Sequence, residues 1–342
     1  MPDRTYNLAL VGFGNVGKEL VRLLVAKTAE LHNEYGITWK LTGVASRRVG
    51  WVADRHGLDP AALLSHDWPG PSPGRAPGKV REWLAAARAD VLFEATSLDR
   101  RTGQPATEHL RAALESGAHA ISANKGPIVH AYRELRDLAR STGRQFLFES
   151  TVMDGTPIFS LFPHALPAVE LRGFRGLLNS TSNVVLTEME KGLSLDEAVK
   201  KAQEIGVAET DPSDDLDGWD PAVKVAALVI VLMGVPIDLD QIERVGIRTV
   251  TPGQIRAARA EGKRYKLICR AERTSSDHSH TVRASVKPEQ LPMSDPWALL
   301  EGTTSALRLD MDVFGLSIIE HKPGVIATAY GLFADFIRAV KG

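Results

Sequence analysis

Asn7-Leu-Ala-Leu-Val11 runs straight into Gly12-Phe13-Gly14-Asn15-Val16-Gly17, and Lys18-Glu-Leu-Val-Arg-Leu-Leu-Val25 follows. The first five residues predict a short apolar strand, and the last eight repeat apolar residues at helical spacing. Between them lies G-x-G-x-x-G in a strand-turn-helix setting. The glycines permit a tight turn, close approach of backbone to a pyrophosphate, and close packing of helix on strand. The helix N-terminus receives the negative charge. A G-x-G-x-x-G alone is a weak signal. In this setting it argues for a dinucleotide-binding sheet over a merely structural turn, with Gly12, Phe13, Gly14, Asn15, Val16 and Gly17 as the cofactor turn.

Working outward, strands and helices keep alternating. A second strand is predicted over 39–45. At its end NAD-preferring proteins place an Asp or Glu for the ribose 2′-OH, whereas this chain has Ser46-Arg47-Arg48. A hydroxyl and two guanidiniums suit a 2′-phosphate, so NADP is predicted, with NAD use open; the bland reading is arginines in a surface loop. The Pro/Gly-rich stretch 69–78 predicts an exposed loop. Helices are predicted over 80–87, 107–115 and 132–141, and strands over 90–94, 119–123 and 145–149. Thr96, Ser97 and Lys125 then fall at C-terminal strand ends, where doubly wound sheets bind ligands. This alternation predicts an α/β Rossmann domain over 1–149.

The character changes after Glu149. A loop over 150–157 is predicted to open a helix at Pro157. A strand over 171–178, the polar run Asn179-Ser180-Thr181-Ser182-Asn183, and helices over 184–190, 195–205 and 253–262 follow. Segments 265–272 and 281–287 alternate like paired antiparallel strands. We expect an α+β substrate-binding and dimerisation domain over 150–310. The segment 311–342 should carry an amphipathic helix, 328–340, back to the first domain.

The densest chemistry lies in Glu209-Thr-Asp211-Pro-Ser-Asp214-Asp215-Leu-Asp217-Gly218-Trp-Asp220-Pro221-Ala-Val-Lys224. Asp220-Pro221 reads as a helix start, with aspartate as cap and proline in the first helical position. The apolar run beyond predicts a buried helix. Lys224 follows Asp220 by four residues, so the two share a face. Apolar flanks and the positive helix end push such a lysine toward a lowered pKa, suited to proton exchange near neutral pH. Nearby carboxylates can grip a cationic substrate group. Against this, acidic loops are often solvated, and a lysine near a helix start can snorkel to water. Ser213, Asp215, Asp217 and Gly218 also fit the start of a calcium loop. Its twelfth position needs a chelating glutamate and is Lys224, which removes that reading.

Composition bounds the partners. With 342 residues, 44% hydrophobic, 24% charged and a net charge of -1, the chain predicts an ordinary globular protein with room for two domains. It lacks the basic excess of a nucleic-acid surface. The longest apolar run, 225–235, is too short to cross a bilayer. One cysteine, Cys269, excludes an internal disulfide, fits a reducing compartment, and lies in a strand-like segment where core packing is expected. No signal-peptide pattern opens the chain, so a cytoplasmic location is expected.

Taken together, the motif at 12–17, Ala123-Asn-Lys-Gly-Pro127, Glu149-Ser-Thr-Val152, residues 179–183 and above all Glu209 to Lys224 resemble the homoserine dehydrogenase family. Order and spacing match over nearly the whole chain. The resemblance implies NADPH- or NADH-dependent reduction of L-aspartate-4-semialdehyde to L-homoserine, on the route to threonine and methionine, by a homodimer or homotetramer. It implies Lys224 as the acid/base, and Lys125 beside the nicotinamide and substrate. Glu209, Asp215, Asp220 and Thr181 would be substrate ligands, and Thr328 would join the cofactor residues. A monovalent cation is implied at the loop of Glu149, Val152, Asp154 and Thr156, largely through backbone carbonyls. Departures are Ser180 where the family has glycine, Val207 before the key glutamate, Met153-Asp154 in the cation loop, and a shortened turn over 322–328. They leave open a related dehydrogenase for another small hydroxy acid or aldehyde, or a cofactor-binding regulator without turnover. The chain stops after its last helix, so an appended ACT domain, and feedback by threonine through it, are not expected.

Overall fold

The computed structural model describes residues 4–65, 79–274 and 281–341, and the loop predicted over 69–78 lies outside them. The chain divides into two compact units, Met1–Ser160 with Gly324–Gly342, and Leu161–Pro323.

The first unit is built on six strands: β1 Arg4–Val11, β2 Ile37–Ser46, β3 Gly50–Ala53, β4 Val91–Glu94, β5 His119–Ser122 and β6 Phe146–Leu147. Their order is β3-β2-β1-β4-β5-β6, with β1, β2, β4, β5 and β6 parallel. All four residues of β4 are buried, as expected of a central parallel strand covered on both faces. The chain leaves β1 toward β2 on one side and returns to β4 on the other, so the crevice of the doubly wound sheet opens between the ends of β1 and β4. The Val325–Lys341 helix buries Ala329, Leu332, Phe333, Phe336 and Ala339 in the core of this unit. Phe336 meets Tyr6 and Phe93 edge-on, at 6.1 and 6.0 Å between centroids. Burying one such ring stabilises by about 1.5–3 kcal/mol, so the returning helix is integral to the unit.

The second unit holds β7 Leu171–Leu177, β8 Glu243–Arg244, β9 Lys263–Arg273, β10 Val282–Pro292, β11 Ser305–Met311 and β12 Gly315–Glu320, in the order β12-β11-β7-β9-β10-β8. Helices Ser180–Glu190, Trp219–Leu228 and Pro252–Ala260 pack on β9. Arg308, Arg175 and Arg270 stand opposite one another across β11, β7 and β9. Each carries its own carboxylate, Asp310, Asp295 and Glu289 respectively. That row is polar, while Cys269, one residue from Arg270 and so on the opposite face, is fully buried in the core.

Several expectations change. β3 was not anticipated; it pairs antiparallel with β2, so Ser46, Arg47 and Arg48 lie in a tight hairpin. The strand over 145–149 shortens to β6, and Glu149 instead begins a 3₁₀ turn, Glu149–Thr151. No helix opens at Pro157; a short one spans Leu161–His164. The helix expected over 132–141 starts at Gly126 and bends at Ala131. The segment 311–342 divides, with β12 in the second sheet and the last helix in the first unit.

Candidate active site

In the first unit the Asn15–Ala26 helix starts at Gly14 without a side-chain cap and with no acidic residue in its first turn. Its N-terminal N–H groups therefore face no competing carboxylate from their own turn. Gly12 has φ +98, and a Cβ there would lie 2.3 Å from the backbone of Ala95. Around Gly14 a Cβ would meet nothing within 4 Å. A turn pressed against the end of β4 on one side and open on the other fits a dinucleotide pyrophosphate. Phe13 and Gly17 are buried, Val16 is half-buried and Asn15 is exposed. Arg47 and Arg48 are exposed, and Ser46 Oγ accepts from Val49 N at 3.0 Å, so this hydroxyl shapes the hairpin. Thr96 and Ser97 follow β4, and Lys125 caps the Gly126–Thr142 helix after β5. Thr328 lies elsewhere in its bonding: its hydroxyl donates to Asp154 Oδ1 at 2.9 Å.

In the second unit the acidic stretch folds differently from its reading in one respect. The Trp219–Leu228 helix is preceded by Gly218 in the left-handed conformation (φ 80), so Asp220 is inside the first turn and not its cap. Proline is still accommodated, because N–H groups of a first turn have no helical partner. Freed from capping, Asp220 places Oδ2 3.2 Å from Lys224 Nζ and accepts from Asn179 Nδ2 at 3.0 Å. The same amide donates to Asp215 Oδ1 at 2.6 Å. Lys224 Nζ also donates to the Leu178 carbonyl at 2.7 Å. Burial, and then the like charge of Asp220, hold the Asp215 carboxyl above the usual carboxylate range. Thr181 lies beside Asp215, and its hydroxyl donates to the Val207 carbonyl at 3.3 Å.

Asn179 was read only as part of a polar run. It is the N-cap of the Ser180–Glu190 helix, its Oδ1 accepting from Ser182 N at 2.8 Å while its amide bridges the two aspartates. Glu209 is not brought into this group: it is exposed, and among the described residues it makes no hydrogen bond or ion pair with Asp215, Asp220 or Lys224. The arrangement can hold a cation against two carboxylates and present an ammonium beside them.

The profile described as "Homoserine dehydrogenase, NAD binding domain" matches residues 12–149, and that described as "Homoserine dehydrogenase" matches 157–337. The NAD(+)-dependent homoserine dehydrogenase of Pseudomonas canavaninivorans is 37% identical over 97% of this chain and 96% of its own length. The chain belongs to the homoserine dehydrogenase family. It is accordingly an NAD(P)-dependent oxidoreductase of the type acting on CH–OH donors. The homoserine dehydrogenase of Sulfurisphaera tokodaii is 30% identical, over 96% of this chain and 97% of its own. The crystal structure of the Thiobacillus denitrificans homoserine dehydrogenase superposes with a TM-score of 0.82 at 26% identity, over 99% of this chain and 74% of that one.

Of the family departures, Ser180 makes a side-chain bond and Val207 contributes only its backbone. Ser180, in place of glycine, donates its hydroxyl to the Thr303 carbonyl at 3.0 Å. Val207 contributes its carbonyl to Thr181. In the loop compared with the family's cation site, both acidic side chains are committed to protein partners. Glu149 accepts from the N–H groups of Ile158, Phe159 and Ser160 at 2.6, 2.7 and 3.0 Å, and from Arg338 at 2.9 Å. Asp154 Oδ2 accepts from Gly324 N at 2.6 Å, anchoring the start of the last helix. No cluster of three acidic, histidine or cysteine ligands occurs among the described residues of this homoserine dehydrogenase family member. Val152 is buried and Thr156 N donates to the Met153 carbonyl. A residue the sequence reading missed altogether is Lys266, fully buried and donating to Asn183 Oδ1 at 2.8 Å and the Leu300 carbonyl at 2.6 Å. Burial pulls its pKa down to about 8.

Proposed function

We propose that the protein interconverts L-aspartate-4-semialdehyde and L-homoserine, with Lys224 as the acid/base. The observation that carries this reading is the bonding of Lys224, Asp220, Asp215 and Asn179 into one group on a chain of this family. The nicotinamide, when bound, supplies or accepts the hydride. Lys224 gives its proton to the carbonyl oxygen as negative charge develops there, and takes it back in the reverse direction. Asp215 and Asp220 receive the substrate ammonium, Thr181 lines the pocket, and Glu209 is assigned to the same ammonium on the resemblance alone. Lys125 stabilises the developing oxyanion. Gly12 to Gly17, Thr96, Ser97 and Thr328 hold the cofactor.

NADP is the proposed cofactor, because Arg47 and Arg48 are exposed at the end of β2 and no acidic side chain occurs over 46–50. NAD is the second reading, favoured by the Pseudomonas canavaninivorans relative, which is named NAD(+)-dependent. With Glu149 and Asp154 engaged, a monovalent cation in this loop would be held by backbone carbonyls and the Thr156 hydroxyl. A homodimer through the second sheet is proposed, since its edge strand β12 exposes Ile319. No helix among the described residues is long and apolar enough to cross a membrane, and the single, buried thiol of Cys269 suits the cytoplasm.

The test is turnover of L-homoserine with NADP and with NAD at alkaline pH. Lys224→Ala should lower kcat about 10²- to 10⁴-fold, and lower the melting temperature as well because Asp220 and the Leu178 carbonyl each lose a donor. Full activity in that variant overturns the assignment. Arg47→Ala should raise the KM for NADP and leave that for NAD; equal effects would defeat the 2′-phosphate argument.

A further inference from the structure

Glu94 ends β4 with a side chain that is fully buried. A carboxylate in the middle of a parallel sheet has to be held by donors, and these donors come from the loops at the sheet's C-terminal edge. Oε1 accepts from the backbone N–H of Thr96 at 3.1 Å and from the Thr96 hydroxyl. Oε2 lies 3.4 Å from the hydroxyl of Ser122, the last residue of β5. Ser122 Oγ in turn accepts from Asn124 N at 3.0 Å. Asn124 closes the circuit: its amide donates to the carbonyls of Thr96 and Ser97 at 3.1 and 3.2 Å, and its Oδ1 accepts from Gly126 N at 2.9 Å. Among the described residues the basic group within 4 Å of Glu94 is His109, with Nδ1 at 3.6 Å from Oε1, beyond hydrogen-bond range and without a hydrogen-bond partner. Neutral donors therefore face this carboxylate, two from Thr96 in the loop after β4 and one from Ser122 at the end of β5, whose hydroxyl is shared with the Asn124 carbonyl at 3.3 Å.

We infer that Glu94 is a positioning residue that ties the loop after β4 to the loop after β5 and so fixes the backbone of Thr96, Ser97 and Lys125. The inference rests on the cofactor role proposed for Thr96 and Ser97 and on the oxyanion role proposed for Lys125. The bonds of this circuit are all made within the first unit. Loss of Glu94 should therefore be felt by the dinucleotide and by Lys125, and spare the binding of the amino acid.

The experiment measures NADPH and NADH dissociation constants by fluorescence on the full chain, for wild type, Glu94→Gln and Glu94→Ala, together with melting temperatures and the KM for homoserine. Glu94→Ala should weaken the preferred cofactor about tenfold or more, and Glu94→Gln, which keeps an acceptor for Thr96, should lie between it and wild type. The KM for homoserine should stay within about twofold. Should Glu94→Ala fail to fold, Ser122→Ala removes the other hydroxyl facing the carboxylate and should weaken the cofactor in the same sense. Folded variants with wild-type cofactor affinity would overturn the inference, as would parallel losses of cofactor and homoserine binding. Absence of cofactor binding by wild type would instead overturn the function proposed above.

Discussion

Among single residues, Asn179 concentrates the most consequence. One side chain caps a helix with its oxygen and holds two carboxylates with its nitrogen. Asn179→Ala should cost about 1–2 kcal/mol in urea unfolding, chiefly the lost cap. Asn179→Asp separates the two duties, because aspartate keeps the cap acceptor and replaces the shared donor by a third negative charge. Stability near neutral pH and activity should then both fall, because a third carboxylate, itself buried, stands against two others. The Asp215 carboxyl, already raised by burial and by Asp220, should rise further. The acidic limb of the kcat/KM profile for homoserine should move to higher pH, since the ammonium needs ionised partners. A profile superimposable on wild type would refute the bridge. The sequence exposed Lys224, Asp215 and Asp220 as chemistry, because carboxylates crowding an apolar helix are unusual. Asn179 was hidden, because asparagine in a run of small polar residues looks like any loop.

Among the elements, the last helix owes its place to charge as well as to apolar packing. Buried Asp335 accepts from Glu149 N at 2.8 Å and pairs with Arg338, which also reaches Glu149. Burial pushes the Asp335 carboxyl up to about 7 from 3.8, against the pull of Arg338. An acid whose pKa is raised in the folded state binds more protons folded than unfolded, so its contribution to stability falls as pH rises between those two values. Unfolding free energies measured across that window should therefore decline with pH for this group, and Asp335→Asn should flatten the decline. An unchanged slope would show that other groups set it. Helix limits followed sequence rules where only local forces acted: the Val80–Ala87 helix matches its predicted span, and Ser194 caps its helix as read. They departed where distant residues intervened. The helix carrying Lys224 starts before Asp220, where Gly218 turns left-handed and Trp219 stacks 3.6 Å under the Arg244 guanidinium. That partner is 25 residues away and leaves no mark on the local pattern.

For the molecule as a whole, the assembly prediction follows from the second sheet. Ile319 on β12 and Val313 and Phe314 in the turn before it are exposed. Light scattering should give twice the 37.2 kDa chain mass, and Ile319→Lys should shift the species toward monomer. A monomeric wild type at assay concentration would remove the dimer proposal. By itself the sequence determined the alternation of strands and helices, the glycine-rich turn after β1 and the lysine proposed as the acid/base. Those rest on periodicity, on glycine's freedom at one tight turn, and on the chemistry of neighbours in the chain. Only the tertiary structure decided which polar groups meet. Glu209 is left outside the cluster it was read with, and Glu149 and Asp154 are spent on backbone N–H groups. Asn179, Glu94 and Lys266 become internal connectors. The reason is that most buried polar atoms are matched by a partner, and partners are supplied by whatever the fold brings near, regardless of distance along the chain.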